Sequence, residues 1–289
     1  MKKLNAILIG IFTLCGNLVF GQQLPAEKSL LWEITGPGLS APSYLYGTIH
    51  MICPADYSMS ETIKNSFAKS KTLFLEIDMD DPSMNMKTLQ LSMMKTGSLK
   101  DLMTDKEYTE LEKFMKDSIG MPLMMFNKMK PFTLLSIMYM KVLPCTGVES
   151  YEQNFVEMAK AQKKEVYGLE KLEDQFAVFD KIPDSAEIKM ILEMSRNFSE
   201  QKKEFSKMTE SYKAKDLDAL GNAISSSPDI AGFEDILLVD RNRNWISIME
   251  KAMKKEPTFF AVGAGHLPGK EGVIELLRKE GYTVRAIDK

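Results

Sequence analysis

The spacing of apolar positions alternates between strand and helix patterns over residues 44–78. Tyr44-Leu45-Tyr46-Gly47 is an aromatic and aliphatic run of the kind that forms buried strands. Ser58-Met59-Ser60-Glu61 matches a capping box with Ser58 as the N-cap, and Ile63 and Phe67 follow it at helical spacing. Thr72 to Ile77 is again a strand pattern. The segment therefore predicts a strand, a loop, a helix and a second strand.

The C-terminal residues repeat this order of elements. Phe259 to Val262 is a strand pattern, Gly263 to Gly269 is a glycine-rich loop, and apolar residues from Val273 to Leu277 mark a helix. Gly281 ends that helix, and Tyr282 to Ile287 is a closing strand. Two strand–loop–helix–strand units are thus predicted near the two ends of the chain.

A third unit and two helical stretches complete the predicted fold. Tyr151 to Lys163 has a helical apolar face, and Glu165 to Leu169 is a short strand. Alternating strands and helices predict an α/β fold with a largely parallel central sheet flanked by helices. Residues 84–140 and 186–225 have helical spacing and no clear strand, so we interpret them as helical insertions. The first is rich in Met, which favours a Met-filled helix core over a pliable peptide groove or a soft-metal site.

The N-terminus predicts export. Lys2 and Lys3 precede an apolar run from Ala6 to Phe20 that is short for a membrane span, and a cleavage site lies before Gln22. We therefore predict a signal peptide over residues 1–21, one α/β domain over residues 22–289, and a periplasmic or secreted protein. A lipoprotein attached through Cys15 is disfavoured because Leu14 is bulky. After cleavage no apolar run reaches transmembrane length.

Cleavage at this site also changes the charge and the cysteine count. The mature chain would carry 35 basic and 40 acidic side chains, a net charge of −5, which argues against a nucleic-acid partner. Cys53 and Cys145 would be its only cysteines, in a compartment that permits oxidation. A Cys53–Cys145 disulfide and two free thiols both fit the sequence, and a metal-ligand role for Cys53 is a minor third option.

The only two histidines of the chain stand in matching motifs. Gly47-Thr48-Ile49-His50 and Gly263-Ala264-Gly265-His266 each follow a predicted buried strand and precede a loop and a helix. In parallel α/β sheets this position is the carboxyl end of a strand, where ligands bind. We therefore predict that His50 and His266 lie close together in one functional site, with metal ligation as the leading role of the paired imidazoles.

Three charged residues are candidates to complete this site. Glu76 interrupts an apolar strand, where an unpaired charge is costly, and Glu170 stands at the end of its own strand. Their alternative roles are a solvent-facing strand residue and a helix N-terminal carboxylate. Arg241 falls on the apolar stripe of a helix predicted over residues 233–255, four residues after Leu237. It either pairs with Glu76, Glu170 or a substrate oxyanion in the core or snorkels at the edge of the stripe.

At these residues the sequence resembles the TraB/GumN family, a relative of the TIKI proteases. The matching stretches are Ser43 to His50, Leu75 to Asp78, Gly168 to Glu170 with Gln175, Asp240 to Asn242 with Trp245, and Val262 to Gly269. The resemblance implies an erythromycin-esterase-like α/β fold. For the TIKI branch it implies divalent-metal peptidase activity that involves His50 and His266, with polar roles for Glu76, Glu170 and Arg241. The chain departs from the family pattern at Asp240, often Glu, and at Glu149, usually Asp; a carboxylate is kept at both.

These observations lead to one hypothesis and one rival. In the first, His50, His266 and Glu76, with Glu170 as a further candidate, hold a divalent ion such as Mn, Co or Zn. A remaining glutamate is the general base, and Arg241 orients it or stabilises the oxyanion. The protein would then be an exported metal-dependent hydrolase, with a peptide or protein substrate preferred from the resemblance. In the rival, the same pocket of a cell-envelope protein binds a metal, haem or a peptide without turnover.

Overall fold

The computed structural model describes residues 28–227 and 232–288, and the predicted signal peptide lies outside these ranges. Within them the chain forms a six-stranded sheet in the order β4-β3-β5-β2-β1-β6. The strands are β1 (Leu31–Thr35), β2 (Ser43–Thr48), β3 (Thr72–Leu75), β4 (Val166–Gly168), β5 (Thr258–Gly263) and β6 (Thr283–Ala286).

The predicted α/β class with a largely parallel sheet is confirmed. Strand β5 pairs in parallel with β2 and β3, and β3 pairs in parallel with β4. Strand β1 is antiparallel to both β2 and β6, so it alone among these six strands runs in the opposite direction. Every residue of β2 and of β5 is buried, as expected for central strands that are covered on both faces.

Helices cover the sheet and form a second apolar cluster beside it. They are α1 (Glu61–Lys69), α2 (Met84–Leu91), α3 (Asp105–Phe114), α4 (Pro131–Tyr139), α5 (Tyr151–Gln162), α6 (Leu172–Phe179), α7 (Asp184–Arg196), α8 (Phe198–Lys213), α9 (Leu217–Ser225), α10 (Asp240–Lys255) and α11 (Val273–Lys279). No helix within the two described ranges is both long enough and apolar enough to cross a bilayer.

The two predicted helical insertions contain helices and no strand of the sheet. Residues 84–140 include α2 to α4, and residues 186–225 include α8, α9 and most of α7. Most of their buried apolar side chains form a second cluster, whereas Tyr212, Leu217 and Leu220 belong to the cluster around the sheet. Met115 and Met138 lie fully inside that second cluster, whereas Met124 and Met125 are exposed, so Met fills part of this core but also faces solvent.

Two predicted helix starts differ from the structure. The N-cap of α1 is Ser60, whose hydroxyl accepts from the Ile63 N–H, and not Ser58. Ser58 is held outside the helix because its carbonyl accepts from the Tyr151 hydroxyl at 2.7 Å and its N–H donates back to that hydroxyl. The segment predicted as one helix over residues 233–255 begins with a π-helical turn, Asp235–Val239. This turn continues directly into α10.

A disulfide joins the loop after β2 to the segment before α5. Cys53 and Cys145 are bridged, with their Cα atoms 5.9 Å apart. Next to the bridge, Ile52 and Glu149 exchange both backbone hydrogen bonds, at 3.0 and 2.8 Å. Of the alternatives that the sequence left open, the structure therefore contains the disulfide, and it fixes these two segments against each other.

In protein denatured without reductant, we expect Cys53 and Cys145 to resist thiol labelling, because the bridge consumes both thiols. Reduction should lower the free energy of unfolding by about 4 kcal/mol, since the bridge spans 92 positions. Mass spectrometry of labelled peptides and denaturant titration measure the two effects. As a control, Cys53→Ser should leave one labelled thiol, at Cys145. Labelling of both cysteines in the unreduced wild-type chain would rule the bridge out.

Candidate active site

The two Gly-x-x-His motifs end neighbouring strands. Strands β2 and β5 are parallel, and the last residues of the two strands, Thr48 and Gly263, are partners in their register. His50 lies two residues after β2, and His266 ends a short 3-10 turn after β5. Gly47 lets the two loops approach closely, because a Cβ there would lie 3.1–3.2 Å from Leu267 and Ala264 in the other loop and would press on both.

The predicted carboxylates follow the next two strands. Glu76 comes directly after β3, which pairs with β5, and Glu170 lies two residues after β4. The carboxyl ends of four adjacent strands therefore supply His50, His266, Glu76 and Glu170 to one edge of the sheet.

One oxygen of Glu76 faces both imidazoles. Its Oε1 atom lies 4.0 Å from Nε2 of His50 and 3.8 Å from Nε2 of His266. The two Nε2 atoms are therefore at most about 8 Å apart, which confirms the prediction that the histidines lie close together. A Cβ at Gly263 would meet the same three side chains, so glycine leaves the space into which they point.

Glu76 is ionised although it is buried. Burial alone would raise its pKa, but the Arg241 guanidinium at 2.5 Å and the Gly263 N–H at 2.8 Å hold the pKa well below its usual range. The side-chain amide of Gln175 also donates to Glu76, at 3.2 Å. The charge that interrupts the apolar strand is thus stabilised by specific donors, as the cost of burying it requires.

Arg241 is buried and paired, which is the first of the two roles that its position on the apolar stripe left open. All five of its N–H groups have acceptors: both oxygens of Glu170, Oε2 of Glu76, the Leu237 carbonyl and Nε2 of His266. The Trp245 ring lies 5.0 Å from the guanidinium, and its indole N–H also donates to Glu170. One guanidinium therefore links α10 to the carboxyl ends of β3, β4 and β5.

His266 is neutral, and its tautomer follows from its neighbours. Arg241 can only donate, so Nε2 of His266 accepts from it at 3.2 Å, and Nδ1 carries the proton. Nδ1 then donates to Oδ1 of Asn242 at 2.6 Å, while the Asn242 amide donates to the backbone carbonyls of His266 and Glu271. Burial and the nearby Arg241 charge lower the pKa of His266 to about 3.

His50 is in the opposite electrostatic state. Its side chain is 65% exposed, and its Nδ1 donates to Oε1 of Glu152 at 2.8 Å. Desolvation lowers the pKa of His50, but the Glu152 carboxylate outweighs that effect and raises it to about 9. Glu152 is itself buried and accepts from the hydroxyls of Thr48 and Ser150.

Glu152 is a site residue that the sequence did not reveal. The nearby acid that the family pattern indicates is Glu149, yet its carboxylate bonds to Asn154 and not to His50. An acid in the first turn of a helix is ordinary, so Glu152 carried no signal of its own. Gln175 and Asn242 lay in the matching stretches, but only the structure shows that they hold the glutamates and His266.

The donor set fits a divalent transition metal in the chemical type of its ligands, although their separations exceed those of a formed site. Two imidazoles and one carboxylate are ligands that Zn, Mn or Co accept. Ligands of one tetrahedral ion would be about 3.4 Å apart, so the observed 3.8 and 4.0 Å separations must shorten slightly, and Arg241 must release Nε2 of His266. In the present geometry, no three His, Cys, Asp or Glu side chains among the described residues form a ligand cluster.

Comparison with known proteins places these residues in a family. The sequence model of the TraB/PrgY/gumN family matches residues 30–286. The chain is 22% identical to metalloprotease TIKI1 and 24% identical to metalloprotease TIKI2, both from Danio rerio. Both matches cover 89% of this chain but only 63% and 60% of the relatives, so the chain spans about three fifths of their length. No solved structure matches it.

We expect Arg241→Ala to lower the free energy of unfolding by about 3 to 5 kcal/mol, because it leaves the carboxylates of Glu76 and Glu170 buried without their cation. The matched control is Arg243→Ala, two residues along the same helix. Arg243 is 57% exposed and pairs with Glu271, so its loss should cost about 1 kcal/mol or less. Urea titration measures both variants. Equal losses would mean that the Arg241 pairs add nothing beyond an exposed ion pair.

Proposed function

Because the chain belongs to the TraB/PrgY/gumN family, we propose that it is a divalent-metal-dependent hydrolase that cleaves peptide bonds. The names of the two matched relatives, both metalloproteases, support this proposal. The observation that carries it is the convergence of Nε2 of His50 and Nε2 of His266 on one oxygen of Glu76 at the carboxyl edge of the sheet.

In this proposal His50, His266 and Glu76 hold the ion, and Mn, Co and Zn all suit the donor set. Such an ion, when bound, supplies a water of lowered pKa and polarises a carbonyl group. Each imidazole is oriented by a hydrogen bond at its Nδ1 atom, opposite the proposed ligand atom Nε2. Glu152 orients His50, and Asn242 orients His266. Hydrogen bonds of this kind fix the tautomer and the direction of a ligating imidazole.

The two glutamates have different roles in the proposal. Both oxygens of Glu170 already accept hydrogen bonds, from Arg241, Trp245 and Gln175, so Glu170 positions Arg241. Oε1 of Glu76 accepts one backbone N–H and faces the imidazoles. That oxygen is the one that either contacts the ion or accepts a proton from the attacking water.

Arg241 acts mainly through Glu76 and Glu170. Four of its five N–H groups are bound to Glu76, Glu170 and the Leu237 carbonyl, so at most the one that ion binding frees from His266 is left for a substrate oxyanion. Of the two roles expected from the sequence, orientation of a glutamate is therefore the one that we assign to it.

We further propose that the protein is exported and works in the periplasm or outside the cell. The basic and apolar pattern of residues 1–21 supports export. The Cys53–Cys145 disulfide supports an oxidising compartment, since structural disulfides are rare in the cytosol.

We expect the purified protein to bind about one Mn, Co or Zn ion per chain and to hydrolyse peptides from a mixed library. A chelator should abolish cleavage, and one of the three ions should restore it. Elemental analysis and mass spectrometry of the products are the measurements. Ion or peptide binding without any cleavage would favour the rival, a non-enzymatic binding protein, and absence of both would refute the proposal.

We expect Glu152→Gln to weaken ion binding by about 10- to 100-fold, because it removes the charge that orients His50. Glu149→Gln is the matched control, since Glu149 lies three residues away and contacts Asn154. Isothermal titration calorimetry gives both affinities, and circular dichroism verifies the fold. The same affinity in both variants would remove Glu152 from the site.

A further inference from the structure

A cavity of about 300 Å³ lies between helices α4, α6 and α7, away from the residues described above. One side is aromatic, formed by Phe132, Phe176 and Phe179, with the rings of Phe132 and Phe179 stacked at 3.5 Å. The lining also carries three carboxylates, from Asp180, Asp184 and Glu187. Faces of aromatic rings opposite carboxylates are the chemistry that binds organic cations.

The chain already places one of its own cations in this environment. The Lys130 ammonium pairs with Asp180 at 2.5 Å and lies 5.9 Å from the centre of the Phe176 ring. The other cation of the lining, Lys95, is exposed. The cavity wall thus shows how an amine is held here, by a carboxylate on one side and a ring face on the other.

Negative charge in the cavity exceeds what Lys130 neutralises. Within the described part of the chain, neither Asp184 nor Glu187 forms an ion pair, and Glu187 is only 4% exposed. Burial, together with the charges of Asp184 and Asp180, raises the pKa of Glu187 to about 7. Glu187 accepts the Phe132 N–H at the start of α4, but a carboxylate has further lone pairs to offer.

Helix α6 connects this cavity to the candidate active site. Gln175 donates to both Glu76 and Glu170, and Phe179, one turn later on the same face, forms part of the cavity wall. Four residues of helix advance about 6 Å along its axis. An extended peptide advances about 3.3 Å per residue, so two residues of a bound peptide span about the same length as this turn of α6.

We propose that this cavity is a specificity pocket for a basic side chain, Lys or Arg, of the peptide substrate. The inference rests on the proposed peptidase function for its role in catalysis. The aromatic wall would cover the aliphatic stem of that side chain, and Asp184 and Glu187 would bind its charged end. The substrates would therefore be cationic peptides, with the basic residue at a fixed distance from the cleaved bond.

The first experiment measures binding without turnover. Its probes are Nα-acetyl-lysine amide and Nα-acetyl-norleucine amide, which differ in the ammonium group. Binding is followed in the full-length protein through the ¹³C-methyl signal of Met94, which lines the cavity and is assigned with Met94→Leu. We expect the lysine probe to shift this signal saturably and to bind at least about tenfold more tightly than norleucine. Equal binding of the two probes, or no binding of either, would overturn the proposal.

Charge-removing variants locate the site. Asp184→Asn changes an exposed residue, and Glu187→Gln keeps an acceptor for the Phe132 N–H. Each substitution should weaken binding of the lysine probe by about tenfold. Glu193→Gln is the control, because Glu193 is on the same helix but pairs with Lys189 outside the cavity. If Glu187→Gln fails to fold, Asp184→Asn decides the question alone. An equal effect of Asp184→Asn and Glu193→Gln would refute the site.

Cleavage profiling separates this inference from the proposed function. In a peptide library, we expect products enriched in Lys or Arg at one fixed position, and Asp184→Asn should reduce that enrichment relative to Glu193→Gln. Cleavage without any preference for basic residues would refute the proposed specificity pocket but not the proposed peptidase function. Selective binding of the lysine probe without cleavage of any peptide would refute the proposed peptidase function but support the cavity as a binding site for a basic side chain.

Discussion

The Arg241 guanidinium is the interaction on which the site depends. It is a buried cation between the buried carboxylate of Glu76 and the partly buried one of Glu170, and a charge in that position is tolerated only with full compensation. The compensation is complete, since each of its five N–H groups has an acceptor, and the planar fork fits Glu170 in a way that an ammonium could not. Because its partners stand at the ends of three different strands, this one side chain sets the relative positions of Glu76, Glu170 and His266.

The same charge separates the two histidines electrostatically. Near Arg241, His266 is neutral and presents a lone pair, whereas His50 faces the cleft and is paired with Glu152. The two histidines therefore have opposite protonation states although their local sequence motifs match. The difference comes from the charged groups that surround each ring. Ion binding requires that Arg241 release Nε2 of His266, which would return a donor of Arg241 to the cleft. It also requires that His50, whose pKa is about 9, lose the proton of its Nε2, and that the separations from Glu76 shorten.

The sequence predicted the site wherever the information was local. A glycine-containing turn after a buried strand located His50 and His266, and helical phase located Arg241, because strand ends and helix faces follow from spacing. Glu152 could not be found this way, since it meets His50 only after the disulfide and the Ile52–Glu149 pairing bring distant segments together. The misplaced N-cap has the same origin: a tertiary hydrogen bond from Tyr151 overrode a local pattern at Ser58.

The two apolar clusters of the chain suggest how reaction and selectivity can be divided in this fold. The residues proposed to hold the ion stand on the sheet, whose cluster includes the buried β2 and β5. The cavity lies among helices of the second cluster, against which Ile49 and Met51, the neighbours of His50 after β2, also pack. Helix α6 contacts the candidate active site through Gln175 and the cavity through Phe179. Because both residues stand on one helix, the distance between these two regions is fixed. A substrate side chain that enters the cavity would therefore be held at a fixed distance from Glu76, which is the positioning that a cleavage preference at one peptide position requires.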